Sequence, residues 1–117
     1  MSNDVVMVGW NRGVAGREQE AIELFGESIG FYEAQKKAGN LTSYEPFFFD
    51  PHGGDLNGFM LLRGDRAKLD ALTASDEFTA ITMKAVICLE GVGVIRGVTG
   101  ETVQKRMGMY MNALPKK

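Results

Sequence analysis

The sequence predicts an α+β fold: a four-stranded antiparallel sheet in the order β-α-β-β-α-β, with one further helix at the C-terminal end. Three observations carry this. Four segments read as strands, Val5 to Trp10, Leu41 to Phe49, Gly58 to Arg63 and Val92 to Val98. Two long segments between them show helical periodicity. Each strand is apolar on both of its faces. Val5, Met7 and Gly9 oppose Val6, Val8 and Trp10, and Phe59 and Leu61 oppose Met60 and Leu62. A sheet with one wet face should alternate apolar and polar. Both faces therefore need cover, and the chain has helix enough for one. A second copy of the chain is the expected cover for the other.

The first strand ends in the turn-rich stretch Asn11 to Gly16. A helix follows from about Arg17 to Ala38. Glu18 and Glu20 sit near its positive end, and Lys36 and Lys37 near its negative end. Ile22, Phe25, Ile29 and Tyr32 recur at helical spacing and predict its buried stripe. Gly39-Asn40 predicts its C-terminal cap. The second strand carries Pro46, which removes a ladder donor, so this strand is expected to be an edge or to contain a bulge. The turn Asp50 to Asp55 makes strands two and three a hairpin. Asp65 is placed to cap a second helix with Leu69 and Leu72 inward. Ser75 or Asp76 caps its continuation, which carries Phe78, Ile81 and Val86. Thr99 or Gly100 opens the last helix, where Val103, Met107, Tyr110 and Leu114 form one stripe. Pro115-Lys116-Lys117 is expected to fray. The order is that of the ferredoxin-like split βαβ motif, with strands two and four at the edges.

Composition bounds the function. The 117 residues form one expected domain, 1–117, with 44% apolar and 24% charged residues. A net charge of -2 argues against a nucleic-acid surface. No apolar run reaches the length of a membrane span. Segment 1–10 shows no leader pattern. The single Cys88 lies in an apolar run and reads as a small buried hydrophobe in a reducing, cytoplasmic setting.

Several motifs dissolve in context. Gly26-Glu27-Ser28-Ile29-Gly30 matches a nucleophile elbow, and His52-Gly53-Gly54 resembles an oxyanion sequence. The elbow needs a strained strand-to-helix turn, whereas Ser28 lies inside a continuous helical pattern and reads as an ordinary helical residue. Gly26 and Gly30 share one side of that helix, which predicts close approach to the sheet or, alternatively, a helix thinned for a ligand. Gly91, Gly93, Ile95 and Gly97 share a strand face, against which a helix is expected to pack. Arg63-Gly64-Asp65 reads as a strand end, a turn and a cap.

With this order and two-faced sheet, the chain resembles the dimeric α/β-barrel superfamily that contains the antibiotic-biosynthesis-monooxygenase-like domains. The likeness rests on the topology and on the run from Asp76-Glu77-Phe78 to Gly93-Val94. It implies two ferredoxin-like sheets packed face to face, with small-molecule pockets between sheet and helices or inside the barrel. Heme-degrading members use an Asn in the first strand and a His on the second helix. Here the segment Asp65 to Leu89 has no His, and Asn11 falls after the strand, so heme degradation is not expected.

The functional expectation is a cofactor-independent oxygenase or isomerase acting on a small apolar metabolite. A non-catalytic small-molecule-binding dimer and a purely structural dimer stay open as alternatives. No cofactor and no metal are expected. The expected partners are a second copy, through the open sheet face, and a small-molecule ligand, with no nucleic acid and no membrane. Candidate ligand-binding residues are Trp10, Asn11, Tyr44, His52, Asn57, Arg63 and Arg96. His52 stands out because it alone exchanges a proton near neutrality without a large shift.

Overall fold

The computed structural model describes residues 3–116. Met1 and Ser2 of the N-terminal segment and Lys117 of the tail lie outside the described residues. The elements run β1 (Asp4–Trp10), β2 (Arg12–Gly13), α1 (Glu18–Lys37), β3 (Ser43–Phe48), β4 (Gly58–Gly64), α2 (Arg66–Thr73), α3 (Asp76–Cys88), β5 (Leu89–Glu90), β6 (Gly93–Val98) and α4 (Glu101–Ala113). The main sheet has the order β3-β4-β1-β6, and each of its neighbouring pairs is antiparallel. The proline-bearing β3 is an edge strand, which accommodates Pro46. The sequence did not announce β2 and β5. They form a two-residue ladder beside the main sheet, fastened by a 2.7 Å ion pair between Arg12 and Glu90.

Register decides which face each side chain takes. Val6 sits opposite Leu62 and Arg96, and Val8 opposite Met60 and Val94. This set faces α1, α2 and α3. Val6, Met60 and Leu62 meet Leu24, Leu69 and Phe78 in a single core. Val5, Met7, Phe47, Phe59, Leu61 and Ile95 take the other face. No side chain on that face is buried. Phe47 and Phe59 stack there, with ring centroids 4.5 Å apart. The chain thus covers one face of a sheet that is apolar on both.

Local chemistry explains most helix ends. Ser75 Oγ accepts a 3.2 Å hydrogen bond from the Phe78 backbone N–H at the start of α3. Asp65 occupies the corresponding position before α2, but its side chain makes no capping bond. Gly39 ends α1 with φ 82, a conformation that costs a glycine nothing.

Several expectations about faces need correction. On α1 the buried residues are Leu24, Phe31 and Tyr32, with Phe25 and Ile29 partly covered, whereas Ile22 is 65% exposed. On α3 the inward set is Phe78, Ile81, Ala85 and Cys88, and Val86 points outward. Gly26 and Gly30 approach neither the sheet nor a pocket, because a Cβ at either position would meet open space. No helix packs on the glycine face of β6. A Cβ at Gly93 would meet nothing, and one at Gly97 only a methyl of Val5. Cys88 is buried, as a small hydrophobe should be.

α4 stands apart. None of its residues is buried, and Val103, Met107, Tyr110 and Met111 are all exposed. Its root is held by Asn3, whose carbonyl accepts from Thr99 N at 2.7 Å and whose side chain reaches Thr102 Oγ1 at 3.4 Å. The molecule consequently measures 56 × 38 × 23 Å. Its radius of gyration is 16.4 Å, against roughly 13 Å for a compact chain of this length.

The outward-facing glycines yield a first prediction. Gly26→Ala and Gly30→Ala should each stabilise the protein by about 1 kcal/mol, because helix propensity is gained with no clash. Urea unfolding measures this. A loss of stability in either variant would show that this side of α1 is covered.

Candidate functional site

A cavity of about 320 Å³ lies between the sheet and helices α1 and α3. Its floor is Val8 and Trp10 of β1 with Met60 of β4. One wall comes from α1, where Ala21, Phe25, Ser28 and Tyr32 recur at i, i+4, i+7 and i+11. The other comes from α3 through Phe78, Ile81, Thr82 and Ala85. Phe48, 69% exposed, stands at the mouth, edge-on to Trp10 at 6.1 Å and tilted on Phe25 at 5.3 Å. Gly58 lies opposite Trp10 and makes room for it, since a Cβ there would sit 2.7 Å from the indole.

The lining is almost wholly apolar. Its polar side-chain groups are the hydroxyls of Ser28, Tyr32 and Thr82 and the indole N–H of Trp10. No Asp, Glu, His, Lys or Arg lines it. The Thr82 hydroxyl donates to the Phe78 carbonyl at 2.9 Å, an ordinary back-bond within α3. Tyr32 is 2% exposed. Burial pushes its hydroxyl up to about 12, so it keeps its proton throughout the physiological range. The Cys88 thiol is also pushed up, chiefly by burial, and it does not line the cavity.

Of the seven residues singled out from the sequence, only Trp10 lines the cavity. Asn11, His52 and Asn57 do come together, at the same end of the sheet. The Asn57 amide donates to Asn11 Oδ1 and to the Gly54 carbonyl. His52 Nδ1 accepts from Gly54 N–H at 3.2 Å, which makes Nε2 the donor to the Leu56 carbonyl at 2.8 Å. Both ring nitrogens are therefore engaged in clamping the β3–β4 loop. Tyr44 lies on the covered face of β3 and donates to Glu33 Oε1 at 2.6 Å, an interaction that raises its hydroxyl pKa. Arg63 is on β4 and shares the open face with Val5. Arg96 is on β6, 3.3 Å from Asp70. Among the described residues, no three His, Cys, Asp or Glu side chains gather as a metal-ligand set. No described helix is long and apolar enough to cross a membrane.

Sequence reasoning passed over Ser28 and Thr82 and took Tyr32 for plain core. The available sign was the stripe Ala21, Phe25, Ser28, Tyr32, which lies beside the expected Ile22, Phe25, Ile29, Tyr32 and shares two residues with it; Ile22 also lines the cavity and Ile29 packs against the core. The true stripe carries two hydroxyls on an inward face.

No protein-family model and no curated protein matches the chain. Among solved structures it is similar to a dimeric protein of unknown function and ferredoxin-like fold from Bacteroides fragilis NCTC 9343. The TM-score is 0.58 at 10% identity, over 82% of this chain and 96% of that one. The chain has a ferredoxin-like fold. At that identity the likeness speaks for architecture alone.

The buried hydroxyl sets a pH dependence. Its folded pKa lies above the ordinary tyrosine value of 10.0, at about 12. Between those values the folded state holds a proton that the unfolded state has released, so stability falls as pH rises through that window. The loss attributable to Tyr32 should total about 2–3 kcal/mol by the top of the window. Urea unfolding from pH 9 to 12 should show a shallower alkaline decline in Tyr32→Phe than in wild type. Identical declines would show that Tyr32 is not the group responsible.

Proposed function

We propose that this protein is a homodimer whose subunits each bind a small apolar molecule in the cavity between sheet and helices, without catalysing its conversion. The cavity carries this reading. Its volume of about 320 Å³ falls at the lower end of the roughly 300–1,000 Å³ common for ligand sites. Proton-moving chemistry needs a group whose pKa is matched to the task. The lining offers three hydroxyls and an indole, and the deepest hydroxyl holds its proton. That favours binding over the oxygenase or isomerase expected from the superfamily resemblance.

The dimer reading rests on uncovered apolar surface. The open face presents Met7, Phe59, Leu61 and Ile95 in one continuous patch, the kind of surface soluble monomers avoid. Four strands about 4.8 Å apart and six or seven residues long give a footprint of roughly 20 × 20 Å. That is smaller than the ~800 Å² per partner of a standard interface. The stripe of α4 is the remaining apolar surface suited to make up the difference. An isolated helix of this length is marginal in water, so its partner is expected outside its own chain. The Bacteroides fragilis protein, itself described as dimeric, supports the same assembly. Face-to-face pairing of two open sheets would give the barrel expected of the superfamily, in a reducing compartment such as the cytoplasm.

Two measurements test this. Sedimentation velocity at micromolar concentration should give a dimer, and Met7→Lys, at the centre of the open face, should give a folded monomer. A wild-type monomer would sink the assembly. Naphthalene should shift the indole N–H resonance of Trp10, the chain's one tryptophan, and Ser28→Leu should abolish the shift by filling the cavity. An unmoved Trp10 signal in the wild type would remove the binding reading.

A further inference from the structure

Three polar groups of the cavity lining, the hydroxyls of Ser28 and Tyr32 and the indole N–H of Trp10, make no hydrogen bond among the described residues, and Tyr32 is the most buried of the three. The Tyr32 hydroxyl donates to nothing among the described residues, although Tyr32 is 2% exposed and lines the cavity. A hydroxyl fully sealed without a partner would be costly, and no such sealed polar side-chain atom exists among the described residues. The hydroxyl therefore keeps some accessible surface, and Tyr32 belongs to the cavity lining. We propose that the ligand is an uncharged two-ring compound with one carbonyl oxygen, which takes its hydrogen bond from Tyr32 at the buried end of the cavity. This rests on the binding reading above and adds the chemical class.

Three observations set that class. The first is size. A cavity of about 150 Å³ holds one benzene ring, and this one is roughly twice as large. The second is charge. With no ionisable side chain except the neutral tyrosine in the lining, a carboxylate, phosphate or ammonium would enter unpaired, at a cost no apolar contact offsets. The third is the donor. Trp10 and Ser28 are partly exposed, and the Trp10 indole packs against Gly58, whereas Tyr32 is 2% exposed. Burial holds the proton on its oxygen, so it presents a donor and not a phenolate. Five aromatic side chains, Trp10, Phe25, Tyr32, Phe48 and Phe78, line the walls and mouth. They suit flat rings, which pack edge-on or offset against such faces.

The geometry also assigns Tyr32 no structural hydrogen bond in the free protein. Removing its oxygen should then leave the fold intact, and that separates a ligand-binding role from a scaffolding one.

The test uses three probes of matched shape, followed through the Trp10 indole N–H resonance: tetralin with no acceptor, α-tetralone with one carbonyl, and tetrahydro-2-naphthoate with a charge. Each is titrated into wild type and Tyr32→Phe. The expected result is that Tyr32→Phe weakens α-tetralone roughly two- to tenfold, the worth of one hydrogen bond, and leaves tetralin unchanged. The carboxylate should bind weakest to both proteins. Thermal unfolding of Tyr32→Phe should match or exceed wild type. If tetralin and α-tetralone bind but respond alike to the substitution, the cavity stands as a site and the assignment of a carbonyl to Tyr32 falls. If the carboxylate binds as tightly as the ketone, the uncharged class falls. A melting temperature lowered by more than about 4 °C would mean that the hydroxyl has a structural partner, and would overturn the proposal. If neither neutral probe moves Trp10 in the wild type, the binding reading falls and this inference with it.

Discussion

Everything in this molecule depends on the pairing of β1, which lies between β4 and β6. A central strand with neighbours on both sides has its register fixed twice. Val6 and Val8 are thereby locked to one face, and Val5 and Met7 to the other. A slip of one residue would exchange the two sets, and here both sets are apolar. The helices α1, α2 and α3 cover one set. The connection through Thr99 and Gly100 then carries the chain off the sheet, so α4 does not return to cover the other.

The same arithmetic of cover locates the cavity. Three helices of unequal length lie over four strands. α2 plugs Leu69 and Leu72 into the core near the Val6 end of β1. No α2 residue lines the cavity, which opens toward the Trp10 end, where α1 and α3 alone form the roof. The space is thus the part of the covered face that a short second helix leaves unfilled.

The parts of this arrangement visible in the sequence were those with a strong local period. The strands, their antiparallel hairpin, the edge position of the Pro46 strand and the bounds of α1 all follow from alternation, helical spacing and turn residues. The faces of α1 and α3 were harder. Ile22 and Leu24 are both apolar and sit about 200° apart on a helix, so hydrophobicity alone cannot say which turns inward. The register against the sheet decides: Leu24 is buried in the core, while Ile22 stays 65% exposed at the rim of the cavity. The β2–β5 ladder is two residues long, below any periodic signature. The cavity was illegible for a deeper reason: a void is set by what fails to fill it, and no residue encodes it. Searching for polar side chains pointed instead to Asn11, His52 and Asn57. Those residues do meet in space, but their side-chain hydrogen bonds run to one another and to the loop backbone, away from the cavity.

That network still bears on the site through position. The Asn57 backbone N–H donates to the Trp10 carbonyl at 3.0 Å, and its own carbonyl accepts from Phe49 N at 2.9 Å. The residue bonded to Asn11 and Gly54 through its side chain thus ties the end of β1 to the end of β3 through its backbone. Trp10 and Phe48, the two aromatics facing each other at the cavity mouth, sit at those two strand ends. His52 holds the intervening loop by hydrogen-bonding both Gly54 and Leu56. The polar residues that looked catalytic from the sequence therefore serve as a frame around an apolar opening. Their hydrogen-bonding capacity is spent on one another and on the backbone, outside the lining, and that is why the space they border can remain apolar down to the hydroxyl of Tyr32.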